Sequence, residues 1–251
     1  MILFSATKNN MKTTSDNLDE VIRDYNESTE VMKPPTDAPQ TSATPVLSPS
    51  RVCIPLIGFP DRHRANTELS GTEWQEAYQK ALEIAESGGI IVCYGRRGTG
   101  KTQIAVEIAR NAKLPNSGKP QNQWTFQSRP EHRPALYVKA MEIFIDLKNS
   151  FQRPSAPSEK AIIEKLASAA FLVIDEAHVR GETKYEDDKL THIIDKRYDA
   201  MRPTMLITNL QRKEFAAQLS PSILSRIEEQ GGGIECNWAS YRKTPNQLTE
   251  Q

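Results

Sequence analysis

Five short apolar runs recur along the chain, at 90–94, 135–138, 171–174, 205–208 and 233–236. None alternates with polar residues, and each is too short for a helix, so each reads as a strand buried on both faces. Between them the apolar period lengthens to that of a helix around 101–112, 140–151, 158–169, 185–201 and 211–218. In the fourth of these, Leu190, Ile193, Ile194, Tyr198 and Met201 form the stripe. A further helix precedes the first run. Thr72 and Gln75 have the spacing of a capping box, Trp74, Ala77, Tyr78, Ala81, Leu82 and Ala85 line one face, and Gly88-Gly89 stops it. Strand and helix alternate, which predicts an α/β fold: a parallel five-stranded sheet flanked by helices.

Ahead of residue 60 this pattern is absent. Seven of the 16 prolines fall between Pro34 and Pro60, where they remove backbone donors and exclude long elements. Residues 1–50 carry four cations and seven anions, a net of −3. Leu18, Val21, Ile22 and Tyr25 stand at helical spacing, so 15–30 reads either as part of a disordered, solvated tail or as an acidic helix that orders on a partner. The expected organisation is a flexible acidic, then Pro-rich region at 1–60, a folded α/β domain at 61–243 and a disordered tail at 244–251. Apolar residues at 37% are few for a fully packed chain, in keeping with such tails. The net charge of zero argues against holding nucleic acid by bulk charge, while leaving room for a local basic patch. Cys53, Cys93 and Cys236 are far apart, odd in number and without metal-ligand spacing. With no run long enough to span a membrane, they suit a reducing cytoplasm.

One stretch carries specific chemistry. Gly95-Arg96-Arg97-Gly98-Thr99-Gly100-Lys101-Thr102 meets the P-loop spacing between a buried run and a helical one. Its glycines let successive amides turn onto phosphate oxygens at the positive end of a helix. Lys101 would add a point charge at the β- and γ-phosphates of ATP, and the Thr102 hydroxyl would ligate Mg²⁺. About 75 residues later, 171–174 delivers two adjacent carboxylates, Asp175 and Glu176, at a strand end. In a P-loop site Asp175 would hold the Mg²⁺ shell and Glu176 would polarise the attacking water. Asp175-Glu176-Ala177-His178 also spells the box of one helicase superfamily, but the chain has room for only one motor domain and lacks that superfamily's later motifs. His178 then reads as a supporting or surface histidine. Asn209, after the fourth run, could reach the γ-phosphate or the lytic water as a sensor, or could cap the helix that follows.

The ordered strand ends, Ile-Asp-Glu and then Ile-Thr-Asn-Leu, resemble those of AAA+ ATPases. The stretch from His192 through Lys196-Arg197-Tyr198 and Arg202-Pro203-Thr204 to Leu210 resembles the DnaC/IstB branch. So does the closing piece, Leu219-Ser-Pro-Ser-Ile-Leu-Ser-Arg226-Ile, a Gly-Gly-Gly-Ile run and Asn237-Trp-Ala-Ser240-Tyr241-Arg242. Ile54-Pro55 with Arg62-His63-Arg64 looks like the branch's leading segment. The resemblance runs from about 52 to 243.

The resemblance implies an AAA+ type P-loop fold, ATP hydrolysis with Mg²⁺, and a homo-oligomer or spiral whose sites are shared between subunits. It implies a replication protein that loads a ring-shaped replicative helicase onto single-stranded DNA. The branch's transposition ATPases, which deliver a transposase to target DNA, are the alternative, and a stand-alone small-molecule kinase is a third reading. Arg226 falls at the branch's arginine-finger position; otherwise it is a surface arginine paired with Glu228 or Glu229. Three features depart from the branch: Ser222 stands where a second basic residue is common, Glu176-Ala177-His178 follows Asp175 where a second aspartate is common, and the N-terminal region lacks zinc ligands. Lys139, Lys148, Arg153 and Lys165 fall in the DNA-facing half by analogy, or form an ordinary solvated face.

Overall fold

The computed structural model describes residues 54–65, 71–115, 133–153, 155–181 and 183–242. The tail helix expected at 15–30, Cys53 and the tail at 244–251 lie outside them. The described chain forms six parallel strands: β1 (Leu56–Ile57), β2 (Ile90–Tyr94), β3 (Ala135–Lys139), β4 (Phe171–Asp175), β5 (Thr204–Ile207) and β6 (Gly231–Glu235). Their order across the sheet is β1-β3-β4-β5-β2-β6. The helices are α1 (Asp61–Ala65), α2 (Thr72–Glu86), α3 (Lys101–Asn111), α4 (Ala140–Gln152), α5 (Glu159–Ser168), α6 (Lys184–Asp199), α7 (Arg212–Ala217) and α8 (Pro221–Gln230).

The five expected strands are present, each within two residues of its predicted bounds, and a sixth is added. β1 sits between Pro55 and Pro60, ahead of residue 61, and pairs Leu56 with Ala135 and Ile57 with Leu136. Two residues have no period to read, so the proline argument excluded a long element there and left this short one unseen. α8 is also new. Ser220 accepts from the Ile223 amide at 3.3 Å, Pro221 opens the helix, and Ile223, Leu224 and Ile227 are buried. The capping box expected at Thr72 does not form. Gly71 is the cap residue and its carbonyl accepts the Gln75 amide, which places Thr72 inside the first turn.

The unbroken apolar runs have a direct cause: alternate strand residues face two separate cores. Val92, Leu172, Ile174 and Leu206 pack under α4 to α8. Ile91, Cys93, Phe171, Val173 and Met205 pack under α2 and α3. Burying one such side chain contributes about 1.5–3 kcal/mol, so a polar residue on either face of a central strand would be costly. All strands run the same way, so their C-terminal ends, with the turns after β2, β4 and β5, meet at one edge of the sheet.

Candidate functional site

At that edge lies a cavity of about 680 Å³. Arg97, Gly98, Gly100, Lys101, Thr102, Asp175, Glu176 and Asn209 all line it, although they come from three separate turns. Gly95 and Thr99 instead build the floor of the loop. Both are buried, and the Thr99 hydroxyl donates to the Arg96 carbonyl at 2.9 Å. Arg226 is elsewhere. Its Nε lies 3.0 Å from Asp195 Oδ1, its Nη1 donates to the Ser222 carbonyl at 2.9 Å, and its guanidinium stands over the Tyr198 ring. Asp195 on α6 is thus a carboxylate partner of Arg226.

Lys101 is only 5% exposed, and its ammonium donates to the Gly95 and Arg96 carbonyls at 2.9 and 2.5 Å. Burial lowers its pKa. A buried cation that borrows neutral carbonyls is poised for a stronger anionic acceptor. Behind it, Thr102 Oγ1 lies 3.4 Å from Asp175 Oδ2, and the Tyr137 hydroxyl donates to the same carboxylate oxygen. Burial first, and then the Asp175 charge, push the Tyr137 pKa far up, so the phenol stays a donor. These are hard oxygen ligands in one place, the kind Mg²⁺ takes together with phosphate and water.

Glu176 sits just past the end of β4 with φ at 52°, in the left-handed region that side chains other than glycine enter only when the surroundings insist. Its amide donates to Asp175 Oδ1 at 2.7 Å, and the Ala177 amide donates to the Ile207 carbonyl of β5 at 2.9 Å. The turn is pinned from both sides, which lifts the carboxylate onto the cavity wall. There Glu176 Oε2 meets the Lys139 ammonium at 3.1 Å, across the register that pairs Lys139 with Asp175. His178 shares a 3.0 Å hydrogen bond with Thr208 Oγ1, tying this turn to the end of β5. Burial lowers the His178 pKa, in keeping with a neutral bridging imidazole. Asn209 does not cap the following helix. Gln211 is the cap residue, its amide donating to Glu214 Oε2 at 3.0 Å, and Asn209 instead lines the cavity.

Three lining residues, Tyr137, Gln103 and Arg242, have no chemical role assigned from the sequence, and Lys139, a candidate DNA contact there, lines the cavity as well. Of the other proposed DNA contacts, Lys148 pairs with Glu186 at 3.2 Å. Arg153 and Lys165 edge a second, mostly apolar cavity of about 410 Å³ between β3, α4 and α5. That cavity contains no phosphate-binding loop, so the candidate site is the first one.

No protein-family model matches the chain. Over 183 residues it is 26% identical to the replicative helicase loader DnaC of Escherichia coli (strain K12), covering 72% of this chain and 68% of that protein. The protein of the same name from Buchnera aphidicola subsp. Acyrthosiphon pisum is 24% identical over 164 residues, covering 65% and 60%. Among solved structures, a crystal structure of the DnaC helicase loader superposes with a TM-score of 0.52 at 17% identity, covering 71% of this chain and 100% of that one. Domain III of the Thermotoga maritima replication initiation protein DnaA gives 0.51 at 19% identity, covering 73% and 69%. None of the helices among the described residues is long and apolar enough to cross a membrane. The P-loop and the paired strand-end acids thus stand in a chain similar in sequence to replicative helicase loaders named DnaC and similar in fold to DnaC and to domain III of DnaA.

Proposed function

We propose that this protein binds ATP, hydrolyses it at a site shared between neighbouring copies, and uses the cycle to load a ring-shaped replicative helicase onto single-stranded DNA. The observation that carries the reading is the convergence of Lys101, Thr102, Asp175, Glu176 and Asn209 on one cavity, in a chain similar to proteins named helicase loaders. That likeness favours the helicase over a transposase or a small-molecule acceptor. The chain ahead of β1 is the part to recognise the partner, and the cytoplasm is where such a protein would work.

In this reading each residue has a distinct role. Loop amides and Lys101 hold the β- and γ-phosphates. Thr102 and Asp175 would hold Mg²⁺, which supplies charge neutralisation at the phosphates when bound. Glu176 accepts a proton from the attacking water, and Asn209 orients that water or the γ-phosphate. A helicase-loading assay on circular single-stranded DNA, with the host's ring helicase, tests the whole reading. Wild-type protein with ATP should raise the amount of helicase on the circles, whereas Lys101→Ala should neither bind ATP nor load. Equal loading by Lys101→Ala, or no stimulation by wild type, would remove the proposal.

The Lys139–Glu176 pair gives a second expectation. Both side chains are nearly half exposed, so the pair is weak, yet the ammonium occupies a carboxylate oxygen that water needs. Lys139→Ala should raise basal ATP turnover about two- to fivefold, matching the roughly 0.4–1 kcal/mol at the upper part of the range for an exposed pair. DNA phosphates that draw Lys139 away would have the same effect on wild type and little on the variant. Turnover unchanged or lowered in Lys139→Ala would show that the pair does not restrain Glu176.

A further inference from the structure

The phosphate-binding loop is held from outside by two tryptophans. The Gly98 carbonyl accepts the Tyr241 amide at 2.9 Å, the Thr99 carbonyl accepts Trp238 Nε1 at 2.9 Å, and the Gly100 carbonyl, which also accepts the Ile104 amide of α3 at 3.0 Å, accepts Trp74 Nε1 at 3.4 Å. The three carbonyls are consecutive, and their donors come from two separate segments of the chain. Trp74 belongs to α2, while Trp238 and Tyr241 belong to the segment after β6. No peptide bond among the described residues is cis, so in each unit the amide N–H points opposite to its carbonyl. Carbonyls of 98, 99 and 100 fixed outward thus direct the amides of Thr99, Gly100 and Lys101 inward.

Packing alone does not demand this arrangement. A buried indole needs an acceptor, but any carbonyl would serve. Here both indoles select adjacent carbonyls of the same loop. Trp74 is 5% exposed and is stacked on Tyr78, with ring centroids 5.5 Å apart and planes at 5°. On the other side, Ser240 lies so close to Gly98 that a Cβ there would stand 2.1 Å from the serine hydroxyl, and Gly98 has φ at 80°. The loop is fitted to the segment 238–241 as closely as to its own helix.

We propose that Trp74 and Trp238 are positioning residues for the phosphate-binding loop. Their indole N–H groups, with the Tyr241 amide, take up three successive carbonyls and so preorganise three successive amides for the phosphates of a nucleoside triphosphate or diphosphate. This rests on the nucleotide-binding reading above and adds to it the device that shapes the loop.

The test uses the full chain with Trp238 replaced by 3-benzothienylalanine, which keeps the bicyclic ring and loses the N–H, alongside Trp238→Phe and Trp74→Phe. Binding of ATP, ADP and adenosine is measured, together with steady-state turnover and melting temperature. Loss of the Trp238 donor should weaken ATP and ADP about five- to tenfold, the usual effect of one lost hydrogen bond, and leave adenosine unchanged. The longer Trp74 bond should give a smaller loss, about two- to fivefold. KM should rise with kcat nearly kept, because the amides hold ground state and transition state alike. A purely structural role would lower the melting temperature and leave that split absent. Wild-type affinity for ATP in the benzothienyl variant overturns the proposal, even if Trp238→Phe fails to fold. Wild-type protein that binds no ATP would sink the nucleotide reading itself, a result distinct from the first.

Discussion

Arg226→Ala is expected to bind ATP as wild type does and to hydrolyse it at least about a thousandfold more slowly. An arginine supplied to a neighbour's γ-phosphate is worth about 10³–10⁵ in rate in well-studied phosphoryl transfer. The structure sharpens this expectation by showing where Arg226 is. It lies outside its own chain's cavity, held on the α6–α8 face by Asp195, Ser222 and the Tyr198 ring. It has no part in its own nucleotide site, so a catalytic role requires the site of a second copy. Mixing separates that role from a structural one. Glu176→Gln keeps the finger and loses the base, whereas Arg226→Ala keeps the base and loses the finger. A mixed oligomer contains junctions that pair a sound site with a sound finger, so two inactive proteins should regain activity together. Recovery should depend on concentration and on single-stranded DNA. Should the mixture stay dead while mixed oligomers are seen to form, Arg226 is a structural arginine holding α8 to α6. Its loss would then appear as a lower melting temperature.

What could be read from the sequence follows from which interactions are local. The P-loop was legible because phosphate binding fixes glycine, lysine and threonine at set separations within one turn, and the structure places that turn between β2 and α3. The central strands were legible because two cores bury both of their faces. Asp175 and Glu176 could be named, but not the groups that hold them. Tyr137 and Lys139 reach the two acids only because β3 lies beside β4 in a particular register. The Lys139–Glu176 pair joins residues 37 positions apart, and no spacing rule covers such a pair. Tyr241 was read as a family ending, while its amide's contact with Gly98 depends on where β6 leaves the sheet. The apolar patterns also gave no reason to separate Lys196 from Arg197, one exposed and one wholly buried.

That buried residue carries the largest stability effect expected in the molecule. Arg197 has no exposed surface, and five hydrogen bonds surround its guanidinium. Nη1 donates to the carbonyls of Leu166, Ala167 and Ala169 at 2.9, 3.3 and 2.9 Å. Nη2 donates to the Pro203 carbonyl at 2.6 Å, and Nε to Thr204 Oγ1 at 2.8 Å. The first three acceptors lie at the C-terminal end of α5, where helical carbonyls lack partners of their own. The other two open β5. One side chain of α6 thus closes a helix end and anchors the strand that leads to Asn209. None of these acceptors is a carboxylate. Burial draws the Arg197 pKa down to about 9, with Arg202 adding to the shift, and the group is still charged at neutral pH. Arg197→Met keeps much of the bulk and takes the donor from the Leu166 and Ala169 carbonyls, while Ala167 keeps Arg202 and Pro203 keeps the Leu172 amide; the loss is about 3–5 kcal/mol by analogy with broken buried charge networks. In a domain of this size that is roughly a 10 °C fall in melting temperature. Arg197→Lys should recover only part, since a compact ammonium cannot span five acceptors. Lys196→Met is the control. Its exposed pair with Glu164, at 3.4 Å, should cost less than about 1 kcal/mol. Urea and thermal melts of the three variants decide the matter. An Arg197→Met protein that melts within about 2 °C of wild type would show that water or a shifted helix end satisfies those carbonyls instead.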